Sequence, residues 1–382
     1  MSQHSDTHLP APDPRRQELV AWLEDLAARE PAARGLQPQS LRPASSDASF
    51  RRYFRIDCAA PVREAHGRAA GEVTAGSMIA MDAPPPHEDC RPYVHVAQLL
   101  QARGVNTPLV IASDIGRGFL LLSDLGTTTY ADALAQPRAD VAGLYADALA
   151  ALVRLQQAPA GTGDAASGLP PYDRARLMAE LRLFPDWYLA RHFGKALEER
   201  ERTELEAVFE TLIEAALAQG QVLVHRDYHC RNLMDLRDLR SAGGRMRLAN
   251  PGVLDFQDAV IGPVTYDLVS LLRDAYVEWP EDRQIDWAAR YWDQARRAGL
   301  PVPQRFDLFW RDLEWMGLQR SLKVLGIFAR LCYRDGKSRY LGDLPVVLRH
   351  TQRVAERYDV FSGLARLLDR VHERSLRSGY TF

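Results

Sequence analysis

The sequence predicts an α+β protein with a small β-rich N-terminal lobe and a large helical C-terminal lobe. Three observations carry this. Residues 15–122 hold short apolar runs of strand character, broken by Pro and Gly. From Tyr130 almost to the C-terminus the apolar residues recur at helical spacing. The strands of this second half are confined to the surroundings of one polar motif near residue 227. The expected division is a tail over 1–14, a first lobe over 15–122, a hinge over 123–129 and a helical lobe over 130–382.

The elements follow in order. Residues 15–29 have helical spacing, with Leu19, Trp22, Leu23 and Leu26 on one face. Strands are expected at 50–56 and 78–81, with Ser45-Ser46-Asp47-Ala48-Ser49 as a small polar turn. Pro84-Pro85-Pro86 breaks the chain, and a helix follows over 92–103 with Val96, Leu99 and Leu100 inward. Two more strands, 109–112 and 118–122, lead to Ser123-Asp124-Leu125-Gly126 at the hinge. Helices are expected over 145–157 and 201–218, joined by a flexible connection at 159–171. The strands of this half are 222–224, 233–236 and 253–256, the last two joined through Ser241-Ala242-Gly243-Gly244.

Composition narrows the function. A hydrophobic fraction of 46% and a charged fraction of 26% describe a soluble globular chain. A net charge of −2 provides no global attraction to nucleic acid or to an anionic membrane, so neither is expected as a partner. Cys58, Cys90, Cys230 and Cys332 form no metal-binding spacing and read as reduced thiols. No apolar run reaches the ~18–20 residues of a membrane span, and the start lacks a secretory pattern. A cytoplasmic protein is the expectation.

The chemistry lies in Val224-His225-Arg226-Asp227-Tyr228-His229-Cys230-Arg231-Asn232, followed by Leu254-Asp255-Phe256. An Asp, an Asn five residues later and a second Asp beyond a hairpin have the order and spacing of the machinery of kinase-fold phosphotransferases. Such a reaction needs an aligned hydroxyl, a divalent cation and donors around the phosphates. Asp227 would orient the attacking hydroxyl and take its proton late. Asn232 and Asp255 are hard oxygen ligands suited to Mg²⁺. The hairpin brings these two residues to one metal.

With Gly252-Val253-Leu254-Asp255-Phe256-Gln257-Asp258 and Gly262-Pro263-Val264-Thr265-Tyr266-Asp267-Leu268, the chain resembles the aminoglycoside phosphotransferase/choline kinase branch of the protein-kinase-like fold. That resemblance implies ATP as co-substrate, a helix opening at the last segment, and a structural role for Asp267. The chain is also similar to the anomeric N-acetylmuramate/N-acetylglucosamine kinases of bacterial cell-wall recycling. Asp47-Ala48-Ser49-Phe50-Arg51-Arg52-Tyr53-Phe54-Arg55, Ile79-Ala80-Met81-Asp82-Ala83-Pro84-Pro85 and Arg273-Asp274-Ala275-Tyr276 carry this likeness, which spans about residues 18–377. It implies phosphorylation of the C1 hydroxyl of both sugars, with the product passed to a separate uridylyltransferase.

One departure is marked. The only lysines are Lys195, Lys323 and Lys337, so the third strand lacks the Lys that usually holds the α/β-phosphates. Ser46 and Ser49 are candidate phosphate donors, and Arg51 or Arg55 candidate charges. Strand alternation sets Arg51, Tyr53 and Arg55 opposite the core-facing Phe54 and Ile56. Leu122, Asp124 and Leu125 fall where the hinge would meet adenine. Tyr228, His229 and Asp258 are candidate acceptor contacts. Arg320, Lys323, Arg330, Arg334 and Lys337 form a basic helical stripe, which fits an anionic acceptor better than a polycationic one. Motif chemistry by itself stops at a small-molecule kinase. A kinase of another small alcohol or aminoglycoside, or a catalytically silent nucleotide-binding protein, stays open at this point.

Overall fold

A computed structural model of the chain describes residues 13–46, 50–59, 76–157, 168–237 and 250–378. They fall into two compact units. The first holds the chain up to Val94 together with Pro108–Gly126; the second holds His95–Thr107, Thr127–Leu236 and the chain from residue 250 on.

The first unit is built on one antiparallel sheet. Its strands are β1 (Leu36–Ser46), β2 (Arg52–Cys58), β3 (Ser77–Asp82), β4 (Val110–Asp114) and β5 (Phe119–Ser123), in the order β1-β2-β3-β5-β4. Phe54 pairs with Ala80 and Ala80 with Leu121, which puts alternate apolar residues of three strands on one face. Helix α1 (Pro14–Arg29) covers that face with Leu19, Trp22 and Leu23. Asp13 caps this helix by accepting the Arg16 amide at 3.1 Å, and Pro14 occupies its first turn. Asp82 is fully buried at the end of β3, where it pairs with Arg15 and Arg52.

β1 was not foreseen. Its residues are largely polar and include Pro38 and Pro43, a composition that argues against a strand. It is the edge strand, and its pairing with β2 is irregular between Gln37 and Arg42 and between Pro43 and Ser45. An irregular edge tolerates prolines because one side of the ladder makes no sheet hydrogen bonds.

The second unit is mainly helical. Its small strands are β6 (Gln221–Val224), β7 (Leu233–Met234), β8 (Gly252–Val253) and β9 (Val260–Pro263). β7 pairs with β8 as expected, whereas the pairing of β6 with β9 corrects the expectation that the motif had only three strands around it. The signal for β9, a four-residue run ending in Gly-Pro, is too short to read. The expected turn at 241–244 lies outside the described residues, as does most of the expected connection at 159–171. The helix Phe306–Tyr333 runs through the middle of this unit. At Gly326 it comes so close to Leu183 that an added Cβ would lie 2.3 Å from that residue's carbonyl carbon. Among the described residues, no helix is long and apolar enough to cross a membrane.

The C-terminal helix Ser362–Ser378 is tied to the helix Glu199–Ala218 by Arg370, which reaches Glu201 at 2.9 Å. Glu201 also meets Lys195 at 2.8 Å and accepts the Glu198 amide at 3.0 Å. Burial pushes its carboxyl up, but these partners hold it down at about 2. A carboxyl depressed on folding adds stability above its unfolded pKa and loses it as pH falls through the folded value. Glu201→Gln is therefore expected to destabilise the protein by about 2–3 kcal/mol at pH 7, with the difference shrinking from pH 5 toward pH 2. Urea denaturation across that range measures it.

Candidate active site

Strand β6 ends at Val224, and the next three residues turn sharply. Arg226 has φ of 77°, a left-handed conformation that is strained for a side chain of its size. Contacts on both sides hold it there. The amides of His225 and Arg226 donate to the two oxygens of Asp267, at 2.7 and 3.0 Å. The Arg226 guanidinium pairs with Glu180 at 2.6 Å. Asp267 lies in the first turn of the helix Tyr266–Leu272, where the helix dipole favours a carboxylate. Burial nevertheless pushes its carboxyl up to about 6 against these donors.

His225 is fully buried, and its ring orients the loop. Its Nδ1 accepts the Asp227 amide at 3.3 Å, which assigns the proton to Nε2 and directs it to the Leu254 carbonyl 2.9 Å away. Burial disfavours protonation of this imidazole. Farther along, Asp274 accepts the amides of Cys230 and Tyr276, each at 3.0 Å. Two buried carboxylates thus grip the loop on either side of Asp227.

Asp227, Asn232 and Asp255 come together as the sequence implied. The Leu254 amide donates to the Asn232 carbonyl at 2.9 Å, continuing the β7–β8 pairing. Asp255 follows in a left-handed conformation, with φ of 61°. The Asn232 side chain donates from Nδ2 to the Asp227 carbonyl at 2.9 Å and lies 3.4 Å from Asp255 Oδ2. Its Oδ1 is then the oxygen available for a cation. Gln257 donates to Asp255 at 2.9 Å and to Asp258 at 3.1 Å, while its own Oε1 is buried without a partner. One carboxylate, one amide oxygen and an unsatisfied acceptor fit Mg²⁺, which keeps waters and phosphate oxygens for its other positions. Among the described residues, no group of three His, Cys, Asp or Glu side chains forms a cage of its own.

Burial pushes the Asp227 carboxyl up, but Lys323, His229, Arg320 and His225 outweigh it and hold it at about 2. Lys323 was expected on a basic helical stripe facing an anionic acceptor. It is instead buried, 3.2 Å from Glu180 and 3.0 Å from the Tyr266 hydroxyl. Glu180 also accepts the Tyr172 hydroxyl and Gln319. The stripe does not survive as a surface: Arg334 pairs with Asp335, and Arg320 is buried. Among the later arginines, Arg349 pairs with Glu278, Arg357 with Glu281 and Glu314, and Arg366 with Glu204.

Tyr228, expected at the acceptor, is also corrected. It is fully buried and its hydroxyl donates to the Ala148 carbonyl at 2.8 Å, so it anchors the loop to the helix Val141–Gln156. His229 is partly exposed, with its ring edge-on to Tyr276, and Asp258 is exposed. In the first unit, Arg55 holds Asp124 through two contacts, at 2.5 and 3.0 Å, and donates to the Gly126 carbonyl at 2.8 Å. Ser77 and the Gly126 amide complete the Asp124 carboxylate. Both side chains are thereby committed to each other. Leu122 and Leu125 are buried, and Arg51 lies 4.0 Å from Glu88. Ser46 ends β1 opposite Arg52. Ser49 lies outside the described residues.

Sequence reasoning missed Glu180, Gln257 and the gripping role of Asp274. Asp274 lies two residues beyond the end of the helix Tyr266–Leu272, where no periodicity marks it as a partner of the loop amides. Glu180 carries no local signal, being 46 residues from the Arg226 it holds.

The phosphotransferase enzyme family matches residues 40–309. A protein of Pseudomonas putida named N-acetylmuramate/N-acetylglucosamine kinase is 46% identical over 363 residues, covering 94% of this chain and 97% of that protein. A Neisseria meningitidis protein of the same name is 43% identical over 342 residues, covering 89% and 93%. The structure of the GDP complex of aminoglycoside 2'-phosphotransferase-IIIa matches with a TM-score of 0.55 at 16% identity, over 90% of this chain and 100% of that one. The fold is accordingly the protein-kinase-like one.

Proposed function

This chain belongs to the phosphotransferase enzyme family, and we propose that it transfers the γ-phosphoryl group of ATP to the anomeric hydroxyl of N-acetylmuramate and N-acetylglucosamine. The observation that carries the chemistry is a carboxylate held ionised at Asp227 beside the Asn232–Asp255 pair. The sugars come from the names of relatives at 43–46% identity.

In this reading the Asp227 carboxylate accepts a hydrogen bond from the sugar C1 hydroxyl and aims its oxygen at the γ-phosphorus. The new O–P bond forms as the bond to the bridging oxygen of ADP breaks. The hydroxyl proton passes to Asp227. Held at about 2, this carboxylate is a weak base, which suits late proton transfer in a loose transition state. Asn232 and Asp255 would hold Mg²⁺, which supplies charge neutralisation at the phosphate oxygens when bound. Asp267, Asp274 and Glu180 keep the loop in its strained form, so alignment is set before substrate arrives.

Ser46, Ser49 and Arg51 are the proposed phosphate contacts, with Leu122 and Leu125 beside the adenine. Arg55 and Asp124, bonded to each other, are proposed to shape the hinge backbone rather than to touch phosphate. His229 and Asp258 are the proposed acceptor contacts. A sugar 1-phosphate is a substrate for nucleotidyl transfer, so a separate uridylyltransferase is the proposed consumer. The cytoplasm, where ATP is, is the proposed location.

Incubation with ATP, Mg²⁺ and either sugar is expected to release ADP and to give a sugar 1-phosphate signal by phosphorus NMR, abolished by chelation of the metal. Nucleotide binding without turnover on either sugar would leave a silent protein or a kinase of another alcohol, to be separated by an acceptor screen.

A further inference from the structure

We propose that Arg320 and His229 form a subsite for a carboxylate on the acceptor, and that this subsite sets preference for an acidic sugar over a neutral one. The inference rests on the kinase reading above and deepens it.

Arg320 lies on the helix Phe306–Tyr333 and is 7% exposed. Among the described residues it makes no hydrogen bond or ion pair, and its Nε is buried without a partner. The comparably buried arginine, Arg273, is paired with Glu314 at 3.2 Å. An Nε–H that is cut off from water and has no acceptor is left one hydrogen bond short, which is unfavourable. Arg320 therefore has an unmet demand for an anion.

Its position says where that anion would sit. Arg320 is three residues before Lys323, so both share the helix face turned to the catalytic loop. The charge of Arg320 acts on both the Asp227 carboxyl and the His229 imidazole. His229 supplies the second unmet group: its Nδ1 is buried without a partner, two residues beyond Asp227. Its ring is edge-on to Tyr276, 5.4 Å away, and the Arg231 guanidinium lies 3.4 Å over the Tyr276 ring. Among the described residues, Asp227 and Arg320 form no ion pair with each other, which leaves the two charges for a bound molecule. Its hydroxyl would meet Asp227, while its carboxylate would meet Arg320 and the Nδ1 proton of a neutral His229.

The two proposed acceptors differ in this group. N-acetylmuramate carries a lactyl carboxylate, which N-acetylglucosamine lacks. The test is steady-state kinetics of the wild type, Arg320→Gln and Arg320→Lys with each sugar, together with calorimetric binding of N-acetylmuramate without nucleotide. Arg320→Gln is expected to lower kcat/KM for N-acetylmuramate about 10- to 100-fold more than for N-acetylglucosamine, the range for one charged hydrogen bond, mainly through KM. Arg320→Lys is expected to fall between. Since the variant removes an unpaired buried charge, its melting temperature is expected to hold or rise. An equal fall on both sugars, or none, would overturn the subsite. The binding arm needs no turnover: equal affinity of wild type and Arg320→Gln for N-acetylmuramate overturns the subsite even if neither sugar is phosphorylated. Absence of turnover in the wild type, by contrast, counts against the kinase reading itself.

Discussion

Replacing Asp227 with Asn is expected to lower kcat about 1,000-fold with either sugar, while KM changes little. The amide keeps the shape of the carboxylate and one acceptor oxygen, but it cannot take the hydroxyl proton. Because Lys323 and Arg320 outweigh burial and help hold the carboxyl at about 2, Asp227 is ionised throughout the working range. The deficit is therefore expected to be the same at pH 6 and pH 8. A base titrating near neutrality would instead show a deficit that narrows toward low pH. Single-turnover rates at the two pH values decide this, and a variant within tenfold of wild type would remove Asp227 from the chemistry.

The second large effect is expected at Lys323, in stability as well as rate. Its ammonium group is buried between Glu180 and the Tyr266 hydroxyl. Lys323→Met leaves Glu180 with Arg226 as its remaining cationic partner and takes a positive charge away from Asp227. Breaking a buried charge pair by removing one partner costs about 3–5 kcal/mol. Urea denaturation of the variant is expected to show a loss of that order. Turnover is expected to fall as well, because Glu180 holds Arg226 in its strained conformation. A Glu180→Gln, Lys323→Met cycle isolates the pair, with a coupling energy above about 1 kcal/mol expected for residues in direct contact. Independent losses would assign the effect to packing alone.

Much of the site was legible because its spacing is local. Asp227 and Asn232 lie on one short loop, and Asp255 returns through a hairpin whose apolar ends announce themselves. The five-stranded sheet was read in four of its strands, since Phe54 and Ile56 alternate with partly exposed residues and Phe119–Leu122 is a continuous apolar run. The edge strand β1 was invisible for the opposite reason: its irregular register erases alternation. The basic stripe shows the limit of periodicity. Helical spacing placed Arg320 and Lys323 on one face, but whether that face met solvent or the catalytic loop depended on what packed against it.

The sequence by itself determined the reaction class and picked out Asp227, Asn232 and Asp255 as its candidate residues, because their spacing along one loop and one hairpin carries that signal. Only the tertiary structure decided which charges are spent on holding the loop and which remain for a substrate. Arg226 and Lys323 meet Glu180, Arg55 meets Asp124, and Arg320 meets no carboxylate among the described residues. The physical reason is that a charged side chain's role is set by its burial and by the partner within a few ångströms. Here those partners lie 46, 69 and 143 residues away along the chain.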